Sequence, residues 1–355
     1  MKYILVTGSG GLVGHESVDF FIKKGYKIIG IDNNYRKNFF GKIGSISENI
    51  NNLKFRYNKK YIHYNIDICN NNSLNKIFSK FKKKIKLVIH AAAQPSHDWA
   101  YKNMRVDFNI NALGTYNMLE LTKKYCSKAI FIFTSTNKVY GDNPNRLKFI
   151  ETDYRYKLKK NSQFVRGIDE TMSIDNSTHS FFGLSKVYAD LLVQEYNKNF
   201  GLKTASFRAG CITGPNHSGA KLHGFLSYLV KEIIRKKSYN ILGYKGKQVR
   251  DNIHSFDLCN AFWAFYKKPV KNSVFNIGGG LYSNCSILEA INLVEDKLNI
   301  KVKIKFNKLP RVGDHKWYIS NIDKFKKTYP KFKLRYNTEK IVEEIIVNNL
   351  SNKFL

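Results

Sequence analysis

A glycine-rich turn between two apolar runs, over residues 3–32, constrains this chain more than any other feature. Tyr3-Ile4-Leu5-Val6 has the character of a buried strand and runs directly into Thr7-Gly8-Ser9-Gly10-Gly11-Leu12-Val13-Gly14. Val18, Phe21 and Ile22 then recur at helical spacing, Gly25 follows, and a second apolar run over 28–31 ends in Asp32. Strand, turn, helix, strand and carboxylate, in that order, form a dinucleotide-binding unit. Gly8 permits the tight turn, Gly11 lets the backbone approach a pyrophosphate, and Gly14 brings helix and strand close. Leu12 and Val13 open the helix, whose free N–H groups and positive dipole end attract phosphate. Asp32, with Asn33 beside it, accepts hydrogen bonds from ribose hydroxyls and repels a 2′-phosphate. That favours NAD, although Arg36 nearby keeps NADP open.

The alternation continues. Tyr61-Ile62-His63-Tyr64 reads as a strand leading to Asp67-Ile68, and Leu87-Val88-Ile89-His90 as another ending in Ala91-Ala92-Ala93-Gln94. Residues 109–125 have helical periodicity, residues 129–133 form a buried strand run, 183–200 a second long helix and 204–207 a further strand. This pattern predicts an α/β fold with a Rossmann-type, doubly wound parallel sheet. Ligands bind beyond the carboxyl ends of such strands, where the candidate residues lie. We expect residues 1–210 to form the NAD-binding domain, with the polar stretch 142–180 as a substrate loop and 246–272 returning to it. Residues 211–245 and 273–355 are expected to form a smaller α/β substrate-binding lobe. The tail ends in an amphipathic helix carrying Ile341, Val342, Ile345 and Ile346.

Composition narrows the class. Hydrophobic residues make up 43% of the 355, enough for a substantial core, and no stretch is long and apolar enough for a membrane helix. Because the chain opens on a core strand, we expect no secretory signal. Cys69, Cys126, Cys211, Cys259 and Cys285 are scattered and lack metal-ligand spacing, so we expect reduced thiols, no metal and a cytoplasmic location. The formal charge of +33 comes from lysines spread along the whole chain, which argues for solvated faces and for steering of an anionic substrate rather than for a nucleic-acid partner.

Three further signals sit at fixed places along the alternation: Asn111-Ala112-Leu113-Gly114-Thr115, Thr134-Ser135-Thr136-Asn137-Lys138-Val139-Tyr140-Gly141, and Ser185-Lys186. With the glycine turn, they resemble the extended short-chain dehydrogenase/reductase family of nucleotide-sugar epimerases and dehydratases, over nearly the whole chain. Gly246-Lys247-Gln248-Val249-Arg250-Asp251 and Arg311-Val312-Gly313-Asp314 fit the same family. Ser135 to Asp142, Glu151-Thr152-Asp153-Tyr154-Arg155-Tyr156, Gly167-Ile168-Asp169-Glu170 and Asn276-Ile277-Gly278-Gly279 resemble its CDP-paratose (CDP-tyvelose) 2-epimerase branch.

That resemblance implies a tightly held NAD that takes a hydride from a sugar carbon and returns it to the other face. It implies cofactor contacts at Gly8, Gly11, Leu12, Val13, Gly14, Asp32, Asn33, Asp67, Ile68, Ala91, Ala92, Ala93, Gln94, Asn111, Ser135 and Lys186. It gives Thr136 the reacting sugar oxygen, and Lys186 the nicotinamide ribose. Substrate contacts are expected from Thr136, Asn137, Lys138, Asn216, His217, Arg250 and Arg311, the two arginines meeting the diphosphate through bidentate guanidinium bonds. The helices near 109–125 and 183–200 are those that relatives use to form a homodimer or a tetramer of dimers.

The sequence departs from the family at one catalytic position. Four residues before Lys186, where the family carries a tyrosine, stands Phe182. Phenylalanine cannot exchange the proton that accompanies hydride transfer. Tyr140, His179, His217 and His223 are alternative proton carriers, although isolated histidines are more often structural; Tyr188 falls on the wrong side of Lys186 by helix geometry. Cys211 reads equally as a substrate contact or a small buried hydrophobe. Three functions follow: an epimerase acting on a nucleotide-sugar, with a CDP-sugar favoured; a dehydratase or one-way oxidoreductase; or a binding-only protein. Dehydratases usually carry Asp-Glu after the Ser/Thr position, where this chain has Asn137-Lys138, and Phe182 keeps the binding-only alternative open.

Overall fold

The computed structural model describes residues 2–217, 219, 224–271 and 273–351. His223, one of the candidate proton carriers, lies outside them. Seven strands form a single parallel sheet, in the spatial order Ser273–Ile277, Lys203–Ala209, Ile130–Thr136, Ile85–His90, Tyr3–Thr7, Lys27–Ile31 and Tyr61–Tyr64. The order reverses at Tyr3–Thr7, because the chain winds first outward to one edge and then returns to build the other. This is the topological switch point, where adjacent crossovers leave a crevice.

Both faces of the sheet are covered, which explains why its strands read as continuous apolar runs rather than alternating ones. On one face, Val18 and Phe21 of helix Leu12–Lys23 pack with Leu258, Phe262 and Phe265 of helix Ser255–Lys267. On the other, helices Asn71–Phe81, Gly114–Cys126 and Phe181–Phe200 bury Leu74, Phe78, Met118, Leu119, Ala189 and Val193. A separate core joins helices Phe225–Ile234, Ile287–Leu298 and Thr338–Ser351 to strand Tyr239–Leu242, and here Ile341, Val342, Ile345 and Ile346 are buried as their spacing predicts. Strands Cys211–Thr213, Val249–His254, Asn284–Ser286 and Trp317–Tyr318 form a small sheet.

One expected boundary is wrong. Ser273–Ile277 is not part of the lobe; it is the edge strand of the main sheet, paired in parallel with Lys203–Ala209. Phe325, Tyr329 and Phe332 pack with Phe275 in the same core, so residues 322–332 also belong to the main domain. The long helix expected over 109–125 opens with a wide turn at Asn109–Leu113 before the regular helix Gly114–Cys126. Residues 142–180 hold only short elements, a single turn at Asn143–Arg146 and the hairpin Phe149–Glu151 with Tyr156–Leu158. Among the described residues, no helix is long and apolar enough to cross a membrane.

Candidate functional site

The glycine turn lies at the switch point. Gly8 has φ +68°, and its N–H donates to Ile31 O at 2.8 Å, tying the turn to the second strand. A Cβ on Gly14 would stand 1.9 Å from Gly8 O, so only glycine admits this helix so close to the turn. Leu12, Val13 and Gly14 are the first residues of the helix, whose N–H groups have no intrahelical acceptor, and all three line the cleft.

A buried relay fixes the neighbouring strand ends. Thr115 Oγ1 donates to Asn111 O at 2.7 Å and therefore accepts from His90 Nε2 at 3.0 Å. His90 Nδ1 is left to accept from Thr7 Oγ1 at 2.7 Å, which in turn receives the Ala92 N–H at 3.2 Å. Burial, with Lys186 nearby, pushes His90 down to about 3, so it stays neutral and the relay keeps one polarity. The relay holds Ala91, Ala92 and Ala93 against the glycine turn.

Asp32 ends its strand at the cleft. Its carboxylate accepts N–H bonds from Gly10 at 3.0 Å and Asn34 at 2.8 Å. Burial raises its pKa, and those bonds together with Arg36 offset part of the rise. Asn33 Nδ2 donates to Asp67 Oδ2 at 3.2 Å, linking the two strand ends that would flank an adenosine.

Thr136, Phe182 and Lys186 also line the cleft. Thr136 Oγ1 receives the Lys138 N–H at 3.2 Å, and Lys186 Nζ donates to Thr134 O at 2.8 Å while lying 4.0 Å from the centre of the Phe133 ring. Burial pushes Lys186 down to about 7, opposed by Asp190 and Asp107. Phe182 lines the cleft, with its ring edge-to-face with His97 at 4.9 Å. Ser180 Oγ accepts the Gly183 N–H at 3.1 Å and is hydrogen-bonded to His97 Nδ1 at 2.6 Å. Arg250 Nη2 and Asp314 Oδ1 form an ion pair at 2.5 Å, and Arg311 lies 3.9 Å from Asp98.

Most of the expected site residues meet in this cleft, including Gly11, Asp67, Ile68, Ser135, Thr136, Lys138, Phe182, Lys186, His217, Arg250 and Arg311. Four do not line it. Gln94 and Asn111 are turned into the protein, where both donate to Asp107 Oδ1, at 2.6 and 3.1 Å. Asn137 is buried beside Thr136, and Asn216 stays outside the lining. Two candidate proton carriers are also displaced. Tyr140 is fully buried, its hydroxyl donating to Asn276 Oδ1 at 2.7 Å, and His179 bonds the carbonyl of Ile174 at 2.9 Å. Cys211 does line the cleft, with its thiol pushed up to about 11 by burial. Sequence reasoning missed His97, Phe39 and Tyr239, which line the cleft. They lie in separate segments with no local motif, so only the tertiary fold brings them together.

The family model described as "NAD dependent epimerase/dehydratase family" matches residues 4–278. The chain belongs to the NAD-dependent epimerase/dehydratase family. A CDP-paratose 2-epimerase from Salmonella typhi is 31% identical over 329 residues, covering 90% of this chain and 91% of that one. A dTDP-D-glucose 4,6-dehydratase from Dictyostelium discoideum is 30% identical, covering 78% of this chain and 58% of its own. Among solved structures, UDP-glucuronic acid 4-epimerase from Bacillus cereus, in complex with UDP-glucuronic acid and NAD, superposes with a TM-score of 0.78 at 23% identity, covering 99% of each chain. NAD is the cofactor, and the residues present fit it: a turn that excludes any Cβ at Gly14, helix N–H groups beside it, and a carboxylate at the second strand end.

Asp32 should set the choice of cofactor. Asp32→Ala is expected to weaken NAD by about 1.5–3 kcal/mol, the range for hydrogen bonds to a charged group. NADP should lose nothing comparable, so the gap between the two narrows. Calorimetric titrations of both cofactors into both proteins check this, and an unchanged ratio counts against the assignment.

Proposed function

We propose that this protein is a nucleotide-sugar epimerase of the CDP-paratose 2-epimerase type, working in surface polysaccharide biosynthesis. The observation that carries the reading is the run Thr136-Asn137-Lys138, of which Thr136 and Lys138 line the cleft. Elimination of water needs carboxyl groups beside the reacting sugar, and this run has none: its second residue is a buried amide and its third an amine that lines the cleft. The similarity to the Salmonella typhi CDP-paratose 2-epimerase supports the same choice.

NAD, when bound, supplies the hydride acceptor and donor. Thr136 orients the reacting sugar oxygen, Lys186 holds the nicotinamide ribose, and Arg250 and Arg311 bind the diphosphate. The test is incubation with CDP-paratose and a panel of GDP-, UDP- and dTDP-sugars, followed by NMR of the product. Inversion at one sugar carbon without loss of water supports the epimerase. A 4-keto-6-deoxy product supports a dehydratase. Binding of a sugar nucleotide without turnover supports the binding-only alternative that Phe182 keeps open.

We also propose a dimer through the helices beside the site. Helix Phe181–Phe200 packs beside Gly114–Cys126, yet Leu113, Tyr116, Leu184, Tyr188 and Leu191 remain exposed. With Phe108 they give these neighbouring elements several uncovered apolar side chains. Light scattering should give twice the monomer mass, or four times if dimers pair. Leu184→Glu should shift the protein toward monomer at micromolar concentration. A monomer mass for the unaltered protein at every concentration would rule the dimer out.

A further inference from the structure

Phe182 removes a proton carrier from a reaction that needs one, and the cleft contains few groups able to replace it. Tyr140 is sealed from the cleft, its hydroxyl engaged by Asn276 and Arg208. Tyr188 is half exposed beside Phe108 on the outer helical face. Burial raises the Tyr239 phenol above its ordinary range, pushes His217 down to about 3 and holds His97 well below its usual value. None of these would exchange a proton readily near neutral pH.

Lys138 differs in geometry. Its backbone follows Thr136 in a single helical turn packed against the start of helix Phe181–Phe200, where a Cβ on Gly183 would stand 3.0 Å from Lys138 O. Its Nζ donates to Gly313 O at 2.8 Å and contacts His315 Nδ1 at 3.3 Å. His315 Nε2 is 2.8 Å from Gly141 O and must donate to that carbonyl, so Nδ1 carries the lone pair that accepts from Lys138. Gly313 also abuts His97, which packs on Phe182. Two of the amine's tetrahedral positions are therefore committed to fixed acceptors, and Lys138 lines the same cleft as Thr136 and Phe182.

On the epimerase reading, we infer that Lys138 Nζ carries the proton to and from the reacting sugar hydroxyl, in place of the missing tyrosine. In oxidation, the sugar C–H bond breaks and its electron pair leaves as hydride to the bound nicotinamide. The O–H proton passes to Nζ and a carbonyl forms. In reduction, the hydride returns to the opposite face and Nζ gives the proton back to oxygen. The cycle consumes no external oxidant or reductant.

The surroundings of Lys138 suit both directions. Burial pushes its ammonium down to about 7; Asp314 and Cys211 oppose that shift, while Arg250 and Arg311 add to it. The neutral amine is the acceptor, so kcat/KM should rise as pH increases through about 7. His97 and His315 face the same nitrogen but remain neutral there.

The test combines three measurements on the full chain. Lys138→Met is expected to lower kcat by roughly 10²–10⁴-fold, the usual contribution of a positioned acid–base group. NAD and CDP-sugar affinities by calorimetry should stay within threefold. Adding Phe182→Tyr to Lys138→Met should recover at least tenfold, since it restores a proton carrier at the other wall. Independently of turnover, trace acetic anhydride labelling followed by peptide mass spectrometry should show Lys138 reacting half-maximally near pH 7. The proposal is overturned if Lys138→Met keeps kcat within threefold, if the variant loses sugar binding in proportion to activity, or if Lys138 labels like a surface lysine above pH 9. Absence of turnover by the unaltered protein on every sugar nucleotide overturns the epimerase reading and this role with it. Turnover with an indifferent Lys138→Met overturns the role alone.

Discussion

Gly14→Ala is expected to weaken NAD binding at least 100-fold and to lower the thermal midpoint. The added Cβ would stand 1.9 Å from Gly8 O, 2.6 Å from Gly8 C and 2.7 Å from Ser9 Cα. Carbon atoms in favourable contact sit about 3.5–4.0 Å apart. All three clashing atoms are backbone, and the turn that holds them is fixed by Gly8 N–H to Ile31 O at 2.8 Å and Gly11 N–H to Gly8 O at 3.0 Å. No rotamer change can relieve the contact, so the helix end retreats or the turn opens. Either movement displaces the N–H groups of Leu12 and Val13 from the pyrophosphate, and each hydrogen bond to a charged group that is lost costs about 1.5–3 kcal/mol. The overpacking itself costs about 1–3 kcal/mol or more of stability. Gly11→Ala is the internal comparison. Its Cβ would lie 3.3 Å from Gly8 O, which a small adjustment accommodates, so it should lose far less thermal stability, while its NAD affinity still falls because the methyl stands where the pyrophosphate approaches. Calorimetry with NAD and a thermal melt of both variants decide the matter; a Gly14→Ala protein that binds NAD within threefold of the original would refute the role given to this helix approach.

The same turn shows why much of the fold was readable in the sequence. Glycine spacing, strand runs and a terminal carboxylate all lie within 32 residues, so local pattern and tertiary position coincide. Strands covered on both faces read as plain apolar runs, which placed Ile85–His90 and Ile130–Thr136 close to their observed bounds. Ser273–Ile277 has the same local character, but nothing in Ser-Val-Phe-Asn-Ile says which sheet it joins. Its partner, Lys203–Ala209, lies about seventy residues earlier in the chain, beyond the small sheet and part of the lobe. The site divides in the same way. Thr136, Lys138 and Lys186 were legible because their motifs end a strand or begin a helix at the cleft. Gln94 and Asn111 were misplaced because a motif locates a backbone and leaves the side chain's direction open. Here the buried Asp107 carboxylate draws both amides inward. Buried polar groups must find partners, and a satisfied internal network outweighs exposure to the cleft.

Arg250→Ala is the second large effect, and it separates binding from stability. Arg250 Nη1 donates to Val249 O at 2.7 Å and Nη2 meets Asp314 at 2.5 Å, both side chains lining the cleft. Losing the guanidinium should weaken CDP-sugar binding by about 1.5–3 kcal/mol, roughly 10–150-fold, with NAD hardly affected. It also leaves Asp314 without its nearest cation. Burial raises the Asp314 carboxyl, but Arg250, Lys138 and Arg311 outweigh burial and hold it below the usual carboxylate range. A carboxyl depressed in the folded state stabilises the protein above its unfolded pKa and loses that contribution as pH falls through the folded value. Arg250→Ala should therefore lower stability by up to about 3 kcal/mol at pH 7, and by less near pH 4, where more of the Asp314 carboxyl is protonated. Arg250→Ala combined with Asp314→Asn should recover much of the thermal midpoint, because no buried charge is left unpaired. It should recover little CDP-sugar affinity if the guanidinium contacts the diphosphate. A double variant that regains both would mean that Arg250 acts only by holding Asp314, and one that regains neither would place the loss in the packing of strand Val249–His254 itself.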